Sequence, residues 1–243
     1  MVLWDDIFAR CQAAGIPLSR EAAQALARFH GLLTDWNSRM DLTAVLEESE
    51  MVDRHYVDSL SPLKTEGLLP AGARVIDVGS GAGFPGIPLA IARPDLQVTL
   101  LDAQNKRVRF LQEAAKHLSL ANVAALHGRA EDMAHLPEFR ECFDLALARA
   151  VAPLPTLLEL LLPFAKVGGR ALCWKGPAVM AELPLGDHAA KLLGGSLEAP
   201  ICTPIPGRDW SHLLLPCKKE KKTLRQYPRK AGTPGRAPLG SES

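Results

Sequence analysis

Residues 74–86 read Arg-Val-Ile-Asp-Val-Gly-Ser-Gly-Ala-Gly-Phe-Pro-Gly, a short apolar run that ends in three alternating glycines, Gly79, Gly81 and Gly83. An apolar run of this length suits a strand buried on both faces of a parallel sheet. Glycines directly after it let the backbone turn tightly and approach a ligand closely. Similar runs recur at 97–102, 122–127, 143–148 and 170–175, and helical stretches lie between them at 86–91, 105–118 and 154–165. Strands alternating with helices imply right-handed crossovers. The expected fold class is therefore α/β, a doubly wound, mostly parallel sheet of Rossmann-like form. In such sheets ligands sit beyond the carboxyl ends of the strands, so the end of each run is where chemistry is expected.

The flanking segments read differently. After Ser19, a plausible helix N-cap, Ala22, Leu26, Phe29, Leu33, Trp36 and Met40 recur at steps of three and four and form one apolar stripe. A second helix is expected from Glu48 to Leu63. Residues 1–65 are thus an N-terminal helical extension packed on the core, and 66–217 the sheet domain, closed by an antiparallel hairpin around 200–216. The chain carries 28 Lys and Arg against 27 Asp and Glu, but eight of the cations fall between Lys218 and Arg236 beside a single acid, Glu220. That segment carries +7 and the remainder −6. Residues 218–243 read as a basic, flexible tail suited to a polyanion, loosest from about Tyr227. With 47% hydrophobic residues the chain can bury a substantial core. No run is long enough to span a membrane. Five scattered cysteines without a CxxC pair argue against a disulfide framework or a metal site and for a reducing cytoplasm. The first residues lack the basic start of a secretory signal.

Read as Gly81-x-Gly83-x-x-Gly86, the turn matches a dinucleotide fingerprint, a weak signal by itself. Asp77 would place a carboxylate beside the ligand, which repels a pyrophosphate and welcomes a cation. There is no Lys-Ser or Lys-Thr pair to hold phosphates. Asp102 ends the second run about 20 residues on, where a ribose-binding carboxylate is expected, and it could equally cap the helix at Asn105. After the third run, Ala130 and Glu131 fall near the adenine edge of a nucleoside in such a fold. Arg149 ends the fourth run at the cleft, shaped to grip a phosphate or the O6 edge of guanine; a salt bridge to Asp77 or Asp144 is the alternative. Arg54 and Asp58, spaced i, i+4, could pair on one helix face or form an RNA-facing or cofactor-closing patch. Lys175 and His212 read as phosphate or base contacts, and Trp174 as core.

From Arg74 to Glu131 the chain resembles the cofactor half of a class I S-adenosylmethionine-dependent methyltransferase. The resemblance sharpens at Asp41-Leu-Thr43, Arg54-His55-Tyr-Val-Asp58-Ser59, the Phe84-Pro-Gly-Ile-Pro extension of the glycine turn, Leu101-Asp102, Lys106-Arg107-Val-Arg-Phe-Leu111, Ala148-Arg149-Ala150 and Trp174-Lys175-Gly176. Together these segments are similar to the ribosomal small-subunit methyltransferase G family, with Asp41 standing where that family usually has Asn.

That resemblance implies methyl transfer from S-adenosylmethionine to N7 of a guanine in 16S rRNA. The substrate would be the 16S rRNA of the small ribosomal subunit or an assembly intermediate, and the enzyme cytoplasmic and without a metal; the sequence leaves the oligomeric state open, with a monomer favoured. It implies cofactor contacts from Asp77, Gly79, Gly81, Gly83, Phe84, Asp102, Ala103, Ala130, Glu131 and Arg149, with Arg149, Lys175 and Arg54 as the catalytic set. N7 carries no proton, so no general base is needed, and the chain has neither an Asn-Pro-Pro-Tyr segment nor a cysteine nucleophile motif. Two other classes stay open: an NAD-dependent oxidoreductase on the same fold, and an RNA-binding module without activity.

Overall fold

The computed structural model describes residues 2–45, 47–149 and 152–240. Helices α1 (Leu3–Ala13) and α2 (Arg20–Asn37) open the chain, followed by an irregular helical stretch of α3 (Glu48–Met51), a π-helical segment (Val52–Val57), α4 (Asp58–Leu60) and a 3₁₀ turn (Ser61–Lys64). The sheet domain then runs β1 (Arg74–Val78), α5 (Gly86–Ala92), β2 (Gln97–Asp102), α6 (Asn105–His117), β3 (Val123–His127), α7 (Ala130–Met133), β4 (Phe143–Arg149), α8 (Leu154–Leu161), β5 (Ala165–Lys175), a 3₁₀ turn (Pro177–Glu182), α9 (Leu183–Leu192), β6 (Gly195–Leu197), β7 (Ile201–Pro204), β8 (Ser211–Lys219) and α10 (Thr233–Arg236).

The strand order is β3-β2-β1-β4-β5-β8-β6, with β7 also on β8. The first five strands are mutually parallel, and β8 is antiparallel to β5, β6 and β7. The order reverses between β1 and β4, which is where a doubly wound sheet opens its ligand crevice. The glycine turn after β1 and Arg149 at the end of β4 therefore meet there, although 70 positions separate Gly79 from Arg149.

Side chains alternate across a strand. Val75 accordingly enters one buried cluster with Ile7, Phe29 and Leu33 of the N-terminal helices, while Ile76 and Val78 enter the other with Leu157 and Leu161 of α8. The N-terminal helices thus cover one face of the sheet. Ser19 caps α2 by accepting from the Ala22 N–H at 3.1 Å. Among the described residues no helix is long and apolar enough to cross a membrane.

Three expectations need correction. The helix expected over 48–63 is not one α-helix: the Asp58 N–H reaches the Asp53 carbonyl, five residues back, so the segment widens into a π-turn around Arg54 and His55. The helix expected to reach Ala165 stops at Leu161, because Pro163 has no N–H to continue the ladder, and β5 starts at Ala165. The C-terminal segment, expected as a flexible tail, is packed from Lys218 to Gly240. Arg140 donates to the carbonyls of Thr223, Leu224 and Tyr227, the buried Glu159 carboxylate receives Arg229, and the Thr156 hydroxyl donates to the Pro234 carbonyl. Backbone carbonyls, the ion pairs Arg229–Glu159 and Lys219–Glu141, and the buried Tyr227 and Leu239 fix this stretch, where composition shows only the scarcity of large apolar side chains. Lys219 is itself fully buried, its ammonium donating to the Leu162 carbonyl and Thr223 hydroxyl and facing Glu141, so it is not part of a basic surface. Ser241, Glu242 and Ser243 of the expected tail lie outside the described residues, as does Ala150 of the Arg149 motif.

Candidate active site

All three glycines of the turn have positive φ, 74° at Gly79, 57° at Gly81 and 93° at Gly83. L side chains adopt this region only at a cost. The turn is pinned to β2, the Gly79 and Ser80 N–H groups donating to the Leu101 carbonyl at 2.8 and 3.2 Å. The Asp102 carboxylate braces it further, accepting from the Gly81 N–H at 2.9 Å and from the Gln104 N–H at 2.8 Å. Asp102 thus holds the turn and sits at the head of α6 at once.

Above the turn lies a cavity of about 410 Å³, whose walls include Thr43, Gly79, Gly81, Phe84, Asp102 and Arg149. That volume lies within the range of small-molecule sites, about 300–1,000 Å³. Ala103, Gln104 and Arg107 complete the rim on the β2 side. A Cβ on Gly81 would meet nothing closer than the Gly79 carbonyl oxygen at 3.8 Å and would occupy open space.

Other expected cofactor residues lie elsewhere. Asp77 does not line this cavity: strand alternation turns it beneath the glycine turn, where it is fully buried and accepts from the Gly86 N–H at 2.9 Å. Its other oxygen has no hydrogen-bond partner among the described residues, and burial pushes its carboxyl up to about 7. It braces the turn from below. Gly83 faces the core, and a Cβ there would lie 2.8 Å from Ile87 Cγ1 and 3.3 Å from the Phe29 ring. Ala130 is buried, and the Glu131 carboxylate accepts from the Gly232 N–H of the C-terminal segment at 2.9 Å. Neither lines the cavity.

A second cavity, of about 370 Å³, adjoins the first, and His55 and Arg149 line both. Its other walls include Arg54, Asp58, Trp174, Lys175 and His212. Arg149 is the hub. Its guanidinium donates to the Arg54 carbonyl at 2.6 Å, to the Asp58 carboxylate at 3.1 Å and to His55 Nδ1 at 2.9 Å, and it lies over the Phe84 ring. The expected alternative, a salt bridge beneath the cleft, is present with Asp58 and not with Asp77 or Asp144; Asp144 pairs with Lys166. Arg54 pairs with Glu50 and not with Asp58.

A guanidinium can only donate, so Nδ1 of His55 accepts. The hydrogen of the neutral ring is then on Nε2, 3.0 Å from the Thr43 hydroxyl oxygen. Burial, and next the Arg149 charge, push the His55 imidazole down to about 3. The ring stacks on Phe84 at 4.6 Å between centroids. His55 is therefore a neutral wall whose lone pair is already committed. The buried Asp58 carboxylate also accepts from His212 Nδ1 at 2.9 Å, and its backbone carbonyl accepts from the Trp174 indole at 3.0 Å. Lys175 is held by the Glu182 carboxylate and the Ala152 carbonyl, both at 3.1 Å.

Each of the three cations in the second cavity thus has its own carboxylate: Arg149 with Asp58, Lys175 with Glu182, Arg54 with Glu50. The cavity presents donors without a net excess of positive charge from these pairs. Sequence reasoning singled out Arg54 and Asp58 but not their partners, and it gave no site role to Thr43, His55, Gln104 and Arg107, although Thr43, His55 and Arg107 fall within the segments that carry the family resemblance. A local signal was that Asp53 and Asp58 stand beside Val52, Tyr56, Val57 and Leu60, since a carboxylate buried among apolar side chains needs a partner.

Comparison with known proteins shows the family. A family model described as rRNA small subunit methyltransferase G matches residues 22–202. The protein named ribosomal RNA small subunit methyltransferase G in Alkaliphilus metalliredigens is 44% identical over 94% of this chain and 95% of its own length. That of Alkaliphilus oremlandii is 42% identical over 98% of this chain and all of its own. Among solved structures, P. horikoshii TYW2 in complex with MeSAdo superposes with a TM-score of 0.53 at 16% identity, covering 73% of this chain and 66% of that one, a likeness of fold. The match over most of the chain, on a fold whose switch point carries the glycine turn, Asp102 and Arg149, places this chain in the rRNA small subunit methyltransferase G family.

Proposed function

We propose that this chain transfers a methyl group from S-adenosylmethionine to N7 of a guanine in 16S rRNA, with the cofactor in the first cavity and the guanine in the second. It is an rRNA methyltransferase by family, and S-adenosylmethionine is its cofactor. The residues of the first cavity fit that group. Asp102 keeps acceptor capacity beyond its two backbone donors, which suits ribose hydroxyls. Gly81 leaves open space where a Cβ would stand. Arg107 and Arg149 offer guanidiniums to a carboxylate. When bound, the cofactor supplies a methyl on a cationic sulfur, open to attack by a lone pair.

The protein's part is positioning and electrostatics. Arg149 and His55 form the wall shared by both cavities, so a base in one is held against a cofactor in the other. That shared wall is the observation that carries the reading. No free base is needed, because N7 has no proton to lose, and His55 has its lone pair on the Arg149 guanidinium. Methylated N7 gives the base a positive charge, and the pairing of Arg149, Lys175 and Arg54 with carboxylates keeps the site from opposing it. Arg149, Lys175 and Arg54 are the residues proposed to hold the substrate. Mapping N7-methylguanine in 16S rRNA from cells with and without the protein tests the reading. One modified guanine should disappear with the protein and return with its gene, and identical maps would overturn the assignment.

A further inference from the structure

The β7–β8 hairpin lays Trp210 against the π-helical segment. The Arg54 guanidinium carbon lies 4.7 Å from the Trp210 ring centroid, and the His212 ring lies 5.1 Å from Trp210. Trp210 is half-buried and packs on the core beneath the N-terminal helices. Arg54 is 40% exposed and lines the second cavity, and its Nε donates to Glu50 at 2.5 Å. One edge of the guanidinium is pinned and its plane is backed by an indole.

The hairpin is anchored. Arg208, two positions before Trp210, donates to the Asp53 carboxylate at 2.6 Å and to the Ser49 hydroxyl at 3.2 Å. Asp53 is buried and also holds Arg10 at 2.7 Å. This node ties the hairpin to α1 and to the helical stretch that bears Arg54, so Trp210 is in place before any ligand arrives.

Single-stranded RNA is read by splaying bases onto aromatic rings and guanidinium planes. We propose that Arg54, backed by Trp210, is a stacking plate for the base of a nucleotide adjoining the target guanine. The proposal rests on the second cavity being the guanine site. Arg149 and His55 line both cavities, whereas Arg54 lines only the second and so stands further from the cofactor. The Arg54 charge is already matched by Glu50, which makes its flat face, and not a bare charge, the feature on offer.

The test measures KM and kcat on small ribosomal subunits from cells lacking the protein, with S-adenosylhomocysteine affinity and unfolding midpoint measured alongside. Trp210→Leu keeps apolar bulk without a ring, Trp210→Phe keeps a ring, and Arg54→Lys keeps the charge without the plane. Trp210→Leu should raise KM about 5- to 100-fold with kcat and S-adenosylhomocysteine affinity retained, Arg54→Lys should raise KM over the same range, and Trp210→Phe should recover most of the loss. Wild-type KM in Trp210→Leu, a loss confined to kcat, or a Phe variant as poor as the Leu variant would overturn the plate while leaving the methyltransferase reading intact. Failure of the wild-type protein to methylate these subunits would overturn that reading itself, and the plate with it.

Discussion

Asp58 and Arg149 lie 91 positions apart and close an ion pair at 3.1 Å, with the carboxylate 1% exposed. One acid thereby orients Arg149 toward both cavities and holds His212 on its other oxygen. Replacing Asp58 with Ala leaves a half-buried guanidinium without its counter-ion. The expected loss is about 3–5 kcal/mol of stability. Denaturant unfolding measures it, and Asp58→Asn should recover only part, because it restores shape and not charge.

Arg149→Lys should fold and bind S-adenosylhomocysteine yet lose turnover. An ammonium cannot reach the Arg54 carbonyl, Asp58 and His55 together, so the wall between the cavities loses its geometry. A fall in kcat of about 100-fold at saturating substrate is expected, in keeping with misplacement near reacting groups. Steady-state kinetics on small subunits check it, and a wild-type kcat would remove Arg149 from the positioning role.

Gly81 and Gly83 should fail in different ways. At Gly83 a Cβ meets Ile87, Leu111 and Phe29 within 3.3 Å, so Gly83→Ala should lower the unfolding midpoint sharply. At Gly81 the Cβ enters the open first cavity, so Gly81→Ala should fold at a cost of about 1–2 kcal/mol for its positive φ and lose cofactor affinity. Calorimetry with S-adenosylhomocysteine, paired with thermal unfolding, separates the two.

Asp102→Ala removes an acceptor from the cavity wall and strands the Gly81 and Gln104 N–H groups. Cofactor affinity should fall by about 2 kcal/mol, roughly 30-fold. An unchanged dissociation constant for S-adenosylhomocysteine would exclude a ribose contact.

Asp77 gives a pH signature. Burial pushes its carboxyl up to about 7, against about 3.9 in an unfolded chain. Between those values the folded protein holds a proton that the unfolded chain lacks, so this group's stabilising contribution is full below about pH 4 and lost as the pH rises through 7. The amide introduced by Asp77→Asn does not titrate. The midpoint of that variant relative to wild type should therefore rise from about pH 4 to about pH 7 and level off above, and a constant difference would place the carboxyl at an ordinary pKa.

The parallel sheet was legible in the sequence because a strand buried on both faces needs a local apolar run, and each run is self-contained. Gly79, Gly81 and Gly83 announced the turn for the same reason: positive φ is a property of one residue at a time. Ser19 likewise caps α2 through a bond three residues away. What the glycines face was decided by the fold. Strand alternation sent Asp77 under the turn, and the packing of α2 and α6 against it made Gly83 a core residue while Gly81 stayed open. The partners of Arg149, the tautomer of His55 and the anchoring of residues 218–240 all depend on contacts across dozens of positions. Such contacts leave no periodicity to read, because a buried charge sets only the need for a counter-ion, and the chain path supplies its identity.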